Sequence, residues 1–424
     1  MSRMSPVSTS VGLLRAHRDF RLLWSGQTVS AVGSAVTLVA LPLVALDVLH
    51  ASTAATAVLA GLSYLPTLLF GLLAGAWVDR RRKRPLMIGA DLLSAAALLS
   101  VPLAAAAGLL TLVQLYAVTL VLGLGQVVYQ TADSALLPHV VGRDRLVAGN
   151  GALQVSQNAA MVGGPGVAGL VVQAVGATAT LLLDTASFLL SALSLRALRV
   201  TEPAPVAGRR ERGALRREIA EGVRYVVADP VLRVLALNAG LANLAMTASS
   251  ALFVPFLRRL LGLPAGTVGL AIALGTAGGV LGAALAAPLA RWLGTARSTL
   301  VTVLLSGAGG LLIPLAGTGA RLALFVAGWF VVAAGVGVYN VTVVSYRQAA
   351  TPPALLGRVT ASMRVLLLGT IPLGAGLAAV LAGTIGTRGA LWVAVLLDLL
   401  PGAVLLLSPV RRLRDLPVPA GDGR

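Results

Sequence analysis

The chain has 424 residues, 57% of them hydrophobic and 11% charged, with a mean hydropathy of +0.90. A soluble domain devotes about a quarter of its residues to charge, so this composition cannot clothe a water-facing surface and indicates an integral membrane protein of many helices. The net charge of +18 argues for no nucleic acid partner, because the cations sit in short gaps between apolar runs and no aromatic residues interleave with them. With no cysteine and only His17, His50 and His139, scattered, neither disulfides, thiol chemistry nor a metal cluster is expected.

Apolar runs of about 20 residues suffice to cross a bilayer. Taken in chain order they predict twelve spans: 22–46, 54–78, 85–106, 111–136, 147–173, 177–198, 231–257, 264–289, 297–316, 321–345, 358–384 and 388–409. The runs are long and punctuated by glycine rather than alternating every second residue, which favours helices over a β-barrel. The first run is too long for a signal-peptide core and is counted as a helix.

The cations test that count. With the N-terminus in the cytoplasm, 29 of the 33 fall on the cytoplasmic side, and only Arg258, Arg259, Arg321 and Arg388 fall opposite. The positive-inside rule therefore places both termini in the cytoplasm. The organisation expected is a cytoplasmic N-terminus (1–21), a six-helix bundle (22–199), a cytoplasmic linker (200–230), a second six-helix bundle (231–410) and a cytoplasmic tail (411–424). Within the linker, "ALRREIAEGVRYVV" reads equally as an amphipathic surface helix or as a solvated connection.

Transporter folds are often built from repeats, and echoes between the halves are visible. Gly71 and Gly75 match Gly278 and Gly282 at an offset of 207, and Pro165 and Gly169 match Pro372 and Gly376 at the same offset. Pro138-x3-Gly142-Arg143 matches Pro353-x3-Gly357-Arg358 at an offset of 215, which predicts a length difference at the starts of spans 5 and 11.

Between spans 2 and 3 lies "GAWVDRRRKRP", one Asp followed by five cations. It resembles the signature of the major facilitator superfamily, with Gly75, Asp79, Arg80, Lys83 and Arg84 matching and Arg82 in place of the second glycine. "GGPGVAG", with Gly164, Pro165 and Gly169, is similar to the span 5 packing motif of drug-exporting members. "DSALLPHVVGRDRLVAGNGALQ" and "GRVTASM" resemble the branch containing enterobactin-type and macrolide-type exporters. The resemblance implies an all-α membrane protein of twelve transmembrane helices in two pseudo-symmetric six-helix bundles.

Cations alone would fix topology, so Asp79 needs another reason. It falls at the C-terminal end of span 2, where the helix dipole disfavours an anion. The resemblance implies a cytoplasmic latch in which Asp79, with Gly75, Arg80, Lys83 and Arg84, meets the start of span 11 at Gly357 and Arg358. Asp133 is a further expected partner for one of the arginines. The family's cavity-lining spans are 1, 4, 7 and 10. Polar residues at helical spacing on all four of those spans (Gln27; Gln126 and Gln130; Asn243; Tyr339), and on span 5 (Gln154 and Asn158), are candidates for a substrate path. The alternative for each is interhelical hydrogen bonding.

A carboxylate inside the bilayer costs on the order of 2.5–3.5 kcal/mol, which makes Asp91, Asp184 and Asp398 candidates for protonation. Asp184 and Asp398 occupy similar places in spans 6 and 12. The function implied is secondary export of a small, mostly apolar organic compound (drug, antibiotic or siderophore-like) by alternating access and proton antiport. A proton-coupled importer or a non-transporting scaffold remains as an alternative. No nucleophile, acid–base cluster or nucleotide-binding loop suggests an enzyme. The expected setting is a monomer in the plasma membrane, with small-molecule substrate, protons and lipid as partners and the proton gradient in place of a cofactor.

Overall fold

A computed structural model describes residues 12–14, 17–200, 202 and 214–417, which form helices joined by short connections, with no strand among them. In chain order the helices are α1 (Arg18–Asp47), α2 (Thr53–Asp79), α3 (Lys83–Ala106), α4 (Leu112–Val141), α5 (Leu146–Val175), α6 (Ala177–Arg196) and α7 (Ala214–Ala228). They continue with α8 (Pro230–Pro255), α9 (Ala265–Leu293), α10 (Thr295–Gly310), α11 (Leu322–Ala350), α12 (Pro353–Leu397) and α13 (Leu400–Leu407).

Among the described residues eleven stretches are long and apolar enough to cross a membrane, and the last, Leu366–Leu407, contains a kink. Gly386 inside α12 has φ 76° and ψ 168°, nearly the values of Gly176 (φ 87°, ψ 159°), which separates α5 from α6. Only glycine adopts this region without strain. The break at Gly386 thus divides α12 as Gly176 divides α5 from α6, and the count becomes the expected twelve. The surface carries large apolar side chains such as Leu38, Val113, Leu193 and Leu407, as a lipid solvent requires.

Two compact units make up the chain: residues 1–52, 62–208 and 264–273 in one, and 53–61, 209–263 and 274–424 in the other. In the first, α1 packs on α5 and α6, and α3 on α4 and α6. Its apolar core gathers Phe20, Leu23, Val78, Met87, Leu136 and Leu195. In the second, α8 packs on α12, and α10 on α11. Leu232, Leu235, Tyr346, Val359, Met363 and Leu405 belong to its core.

The connection from 214 onward is ordered as a helix against the second unit. Val226 of α7 is buried, the Tyr225 hydroxyl donates to the Ala350 carbonyl at 3.2 Å, and Glu221 pairs with Arg358 at 2.5 Å. The segment is a helix, and its Val226 is buried against protein while Val227 is exposed.

One repeat echo is structural and the other is not. The offset of 207 carries the start of α5 at Leu146 onto the start of α12 at Pro353. The offset of 215 pairs Gly142, in the connection before α5 with φ 80°, with Gly357, inside the first turns of α12. The expected length difference at the starts of spans 5 and 11 is therefore absent, and the second match is one of sequence alone.

Candidate functional site

The basic loop is short, because α3 begins at Lys83 with Arg82 in an extended conformation (φ −67°, ψ 131°). In the second unit the equivalent connection uses Gly294 at φ 89°, so Arg82 makes the turn by another route. Glu202 lies over the start of α3 and accepts the backbone N–H of Lys83 at 2.5 Å and of Arg84 at 2.8 Å. An anion here satisfies donors that the helix leaves open and meets the positive end of its dipole.

The Arg84 guanidinium donates to the Arg196 carbonyl at the end of α6, Lys83 Nζ donates to the Arg81 carbonyl, and Arg81 stacks 4.9 Å from the Trp77 ring. Arg80 is exposed. Asp79 ends α2, but its side chain, and the surroundings of Gly75, lie outside the described residues. Arg358 pairs with Glu221, and Gly357 has open space around it.

A second acidic cap repeats the first. Asp415, beyond the last helix, accepts the Thr295 N–H at the start of α10 at 2.9 Å. Glu202 follows the sixth helix of the chain and Asp415 follows α13, each capping the third span of its own unit. Sequence reading missed both, since the partners are more than a hundred residues apart; an acid after the final span of each half was the available signal.

Three carboxylates lie inside the spans of the first unit, in three different environments. Asp184 is buried and saturated, accepting from the Thr37 hydroxyl at 2.5 Å and the Ser187 hydroxyl at 2.8 Å. Close approach makes this possible: a Cβ at Gly33 would meet Ser187 Cβ at 2.8 Å. Asp91 is 2% exposed, lies against Ser191, and leaves Oδ2 without a partner. Asp133 is half-buried and accepts from Gln27 Nε2 at 2.5 Å. Tyr129, on α4, reaches Ser191 at 3.4 Å. No cation pairs with any of the three among the described residues.

Asp133 borders a cleft of about 380 Å³, lined also by Asn150, Gly151, Leu153, Gln154 and Gln157. Gln154 Nε2 donates to Asn158 Oδ1 at 3.0 Å, so the amides of α5 form one polar strip. Gln126 and Gln130 are exposed on α4. The path candidates of the second unit make hydrogen bonds between helices. Asn243 donates to the Leu367 carbonyl at 2.7 Å and to Thr370 at 2.8 Å, and the Tyr339 hydroxyl donates to the Leu235 carbonyl at 2.7 Å. Asp398 caps the end of α12, close to Gly310 of α10.

The span 5 motif is a contact surface within the first unit. Gly164 faces Ala35 of α1, and Gly169 faces Ala265 and Gly269, where an added Cβ would stand 2.9 Å from the Gly269 Cα. Pro165 is buried beside them.

The sequence profile described as Major Facilitator Superfamily matches residues 23–371. The chain is 31% identical over 408 residues to the multidrug efflux pump Tap of Mycolicibacterium fortuitum, covering 93% of this chain and 96% of that protein. It is 27% identical over 193 residues to macrolide efflux protein A of Streptococcus pyogenes, covering 43% and 44% of the two chains. Among solved structures, the D323A mutant of the nucleoside transporter NupG superposes with a TM-score of 0.75 at 10% identity, over 92% of this chain and 99% of that one.

Proposed function

The chain belongs to the major facilitator superfamily and is a multi-pass membrane transporter rather than an enzyme, and from that premise we propose that it exports small, mostly apolar organic compounds of the drug, antibiotic or siderophore-like kind by proton antiport. The names of its relatives, a multidrug pump and a macrolide efflux protein, support export. The proposed setting is a monomer in the plasma membrane with both termini cytoplasmic, following the distribution of cations.

The observation that carries the coupling is Asp91. A proton carrier has to be a titratable group that no permanent cation neutralises, and Asp91 is enclosed, lacks an ion pair among the described residues and holds one oxygen unpartnered. Asp184 differs in having both oxygens bonded by hydroxyls, and Asp398 sits at a helix end. Alternating exposure of Asp91 to the two sides of the membrane would move one proton per cycle. One proton falling through about 100 mV releases roughly 2.3 kcal/mol, and half a pH unit adds about 0.7. Together these sustain a substrate gradient of roughly 100-fold.

The test is efflux from cells expressing the full chain, screened across dyes, macrolides and siderophores with and without an uncoupler. Export that collapses on adding the uncoupler supports the reading. Uptake in place of export makes the protein an importer, and movement of no compound tried overturns transport of this class.

A further inference from the structure

Asp133 does not share the enclosure of Asp91. Its carboxylate stands half-buried on α4 at the edge of the cleft of about 380 Å³ whose other walls are Asn150, Gly151, Leu153, Gln154 and Gln157 of α5. We propose that this cleft is a recognition subsite for the cationic nitrogen of the transported compound, with Asp133 as its counter-ion. The inference rests on the transport reading and narrows its substrate class to organic cations and protonated amines.

The geometry points there in four steps. First, the anion is held in place: buried Gln27 donates to Oδ1 at 2.5 Å, and Oδ2 accepts no bond among the described residues. A hydrogen bond to a charged acceptor is among the stronger ones. Second, no cation of the protein neutralises it among the described residues. A charge so placed is costly unless paired, and an incoming cation supplies the missing partner.

Third, the remaining walls are neutral and able to accept hydrogen bonds. Gln154 spends its Nε2 on Asn158 at 3.0 Å, and Asn150 spends its Nδ2 on the Leu146 carbonyl at 3.0 Å. Gln154 and Asn150 each spend one of two amide N–H donors on the protein and keep the oxygen as an acceptor, whereas the Asn158 oxygen receives Gln154, and Leu153 offers an apolar surface. Fourth, the lining argues against other ligands. One carboxylate and no histidine is a weak donor set for a divalent cation, whose sites usually gather more than one anionic ligand among their oxygens. An anion would meet Asp133 directly. The volume lies within the range of small-molecule pockets.

The test uses the full chain in detergent micelles, with ethidium as a permanent aromatic cation and Nile red as a neutral dye, both followed by fluorescence. Asp133→Asn keeps the acceptor for Gln27 and removes the charge. It is expected to weaken ethidium binding by about tenfold or more, a loss several times larger than any change for Nile red. Gln154→Glu, which adds a carboxylate to the same wall, is expected to tighten ethidium by a few-fold and serves if Asp133→Asn does not fold. Wild type that does not bind ethidium, an Asp133→Asn protein that binds it within about twofold of wild type, or a Gln154→Glu protein with no gain overturns the subsite. In vesicles, equal loss of transport for both dyes with ethidium affinity retained would assign Asp133 to the proton instead and also overturns it. If wild type binds ethidium through Asp133 yet carries neither dye, the transport reading fails while the subsite stands.

Discussion

The two units hold their polar side chains in opposite ways. In the first, Asp91, Asp133 and Asp184 lie within the spans with no ion-pair partner among the described residues. In the second, Asp398 is the single acid of residues 231–410, and three of the larger polar groups close interhelical bonds, Asn238 to Pro401, Asn243 to Leu367 and Thr370, and Tyr339 to Leu235. A duplicated fold has thus been filled unequally. The first unit keeps groups whose charge can change or be met by a ligand, while the second commits its amides and phenol to holding helices together. Intramembrane carboxylates are expensive, so the proposed proton coupling and ligand recognition are sought in the first unit, with the second as frame.

The largest effect expected from this contrast is at Asp91. Asp91→Asn removes the titratable group at a site without an ion pair, so the helix should insert and pack as before. Uncoupler-sensitive efflux should fall by about tenfold or more, whereas Asp398→Asn should cost much less. Equal losses at the two positions, or full efflux by Asp91→Asn, would break the division between the units.

A pair of glycines sharpens the same comparison at the level of packing. Gly169 and Gly376 stand at matching places in α5 and α12, offset by 207, yet a Cβ at Gly169 would press into Ala265 and Gly269 while one at Gly376 meets nothing within 4 Å. Gly169→Ala should destabilise by about 1–3 kcal/mol through overpacking. Gly376→Ala should be neutral or stabilising by up to about 1 kcal/mol, the ordinary helix preference for alanine. Thermal unfolding of the two variants in one detergent reads the difference, and matching shifts would show that the motif packs alike in both units.

What sequence could reach follows from how far each signal extends. Hydropathy is local, and the spans it predicts fall within a few residues of the helices, as with 54–78 against Thr53–Asp79. It fails where a helix outlives its apolar run. α4 continues past 136 through Pro138 to Val141, because proline removes only its own N–H and Gly142 still donates to the Pro138 carbonyl at 3.0 Å. Pairings across the bundle are not local. Polar stripes at helical spacing located Gln27, Asn243 and Tyr339, but whether each faces a cleft or a neighbouring helix depends on partners about a hundred residues away. For Asp133 an arginine was the expected partner, and a glutamine occupies that place. Glu202 looked like linker charge until the start of α3 appeared beneath it.

The acidic caps should behave alike in the two units, unlike the interior acids. At the start of their unit's third span Glu202 accepts two backbone N–H groups and Asp415 one. Replacing either with alanine should cost about 1 kcal/mol, the usual worth of an N-terminal cap. The double variant should lose the sum, since sites without shared partners add. A marked departure from additivity in unfolding measurements would mean that the caps are coupled.

The smallest effect, and the finest test of the frame, is at Asn243. Its amide reaches two acceptors on α12, the Leu367 carbonyl at 2.7 Å and the Thr370 hydroxyl at 2.8 Å, and α8 and α12 are heavily packed besides. Interhelical hydrogen bonds within membranes average about 0.6 kcal/mol, because the separated helices find other partners. Asn243→Leu should therefore lower stability by about 0.6–1.2 kcal/mol for the two bonds. If the second unit is frame, substrate selectivity should survive, and ethidium and Nile red should keep their ratio of transport rates. A changed ratio would place Asn243 on the path and extend the binding surface into the second unit; an unchanged one leaves recognition with the carboxylate and amides of α4 and α5.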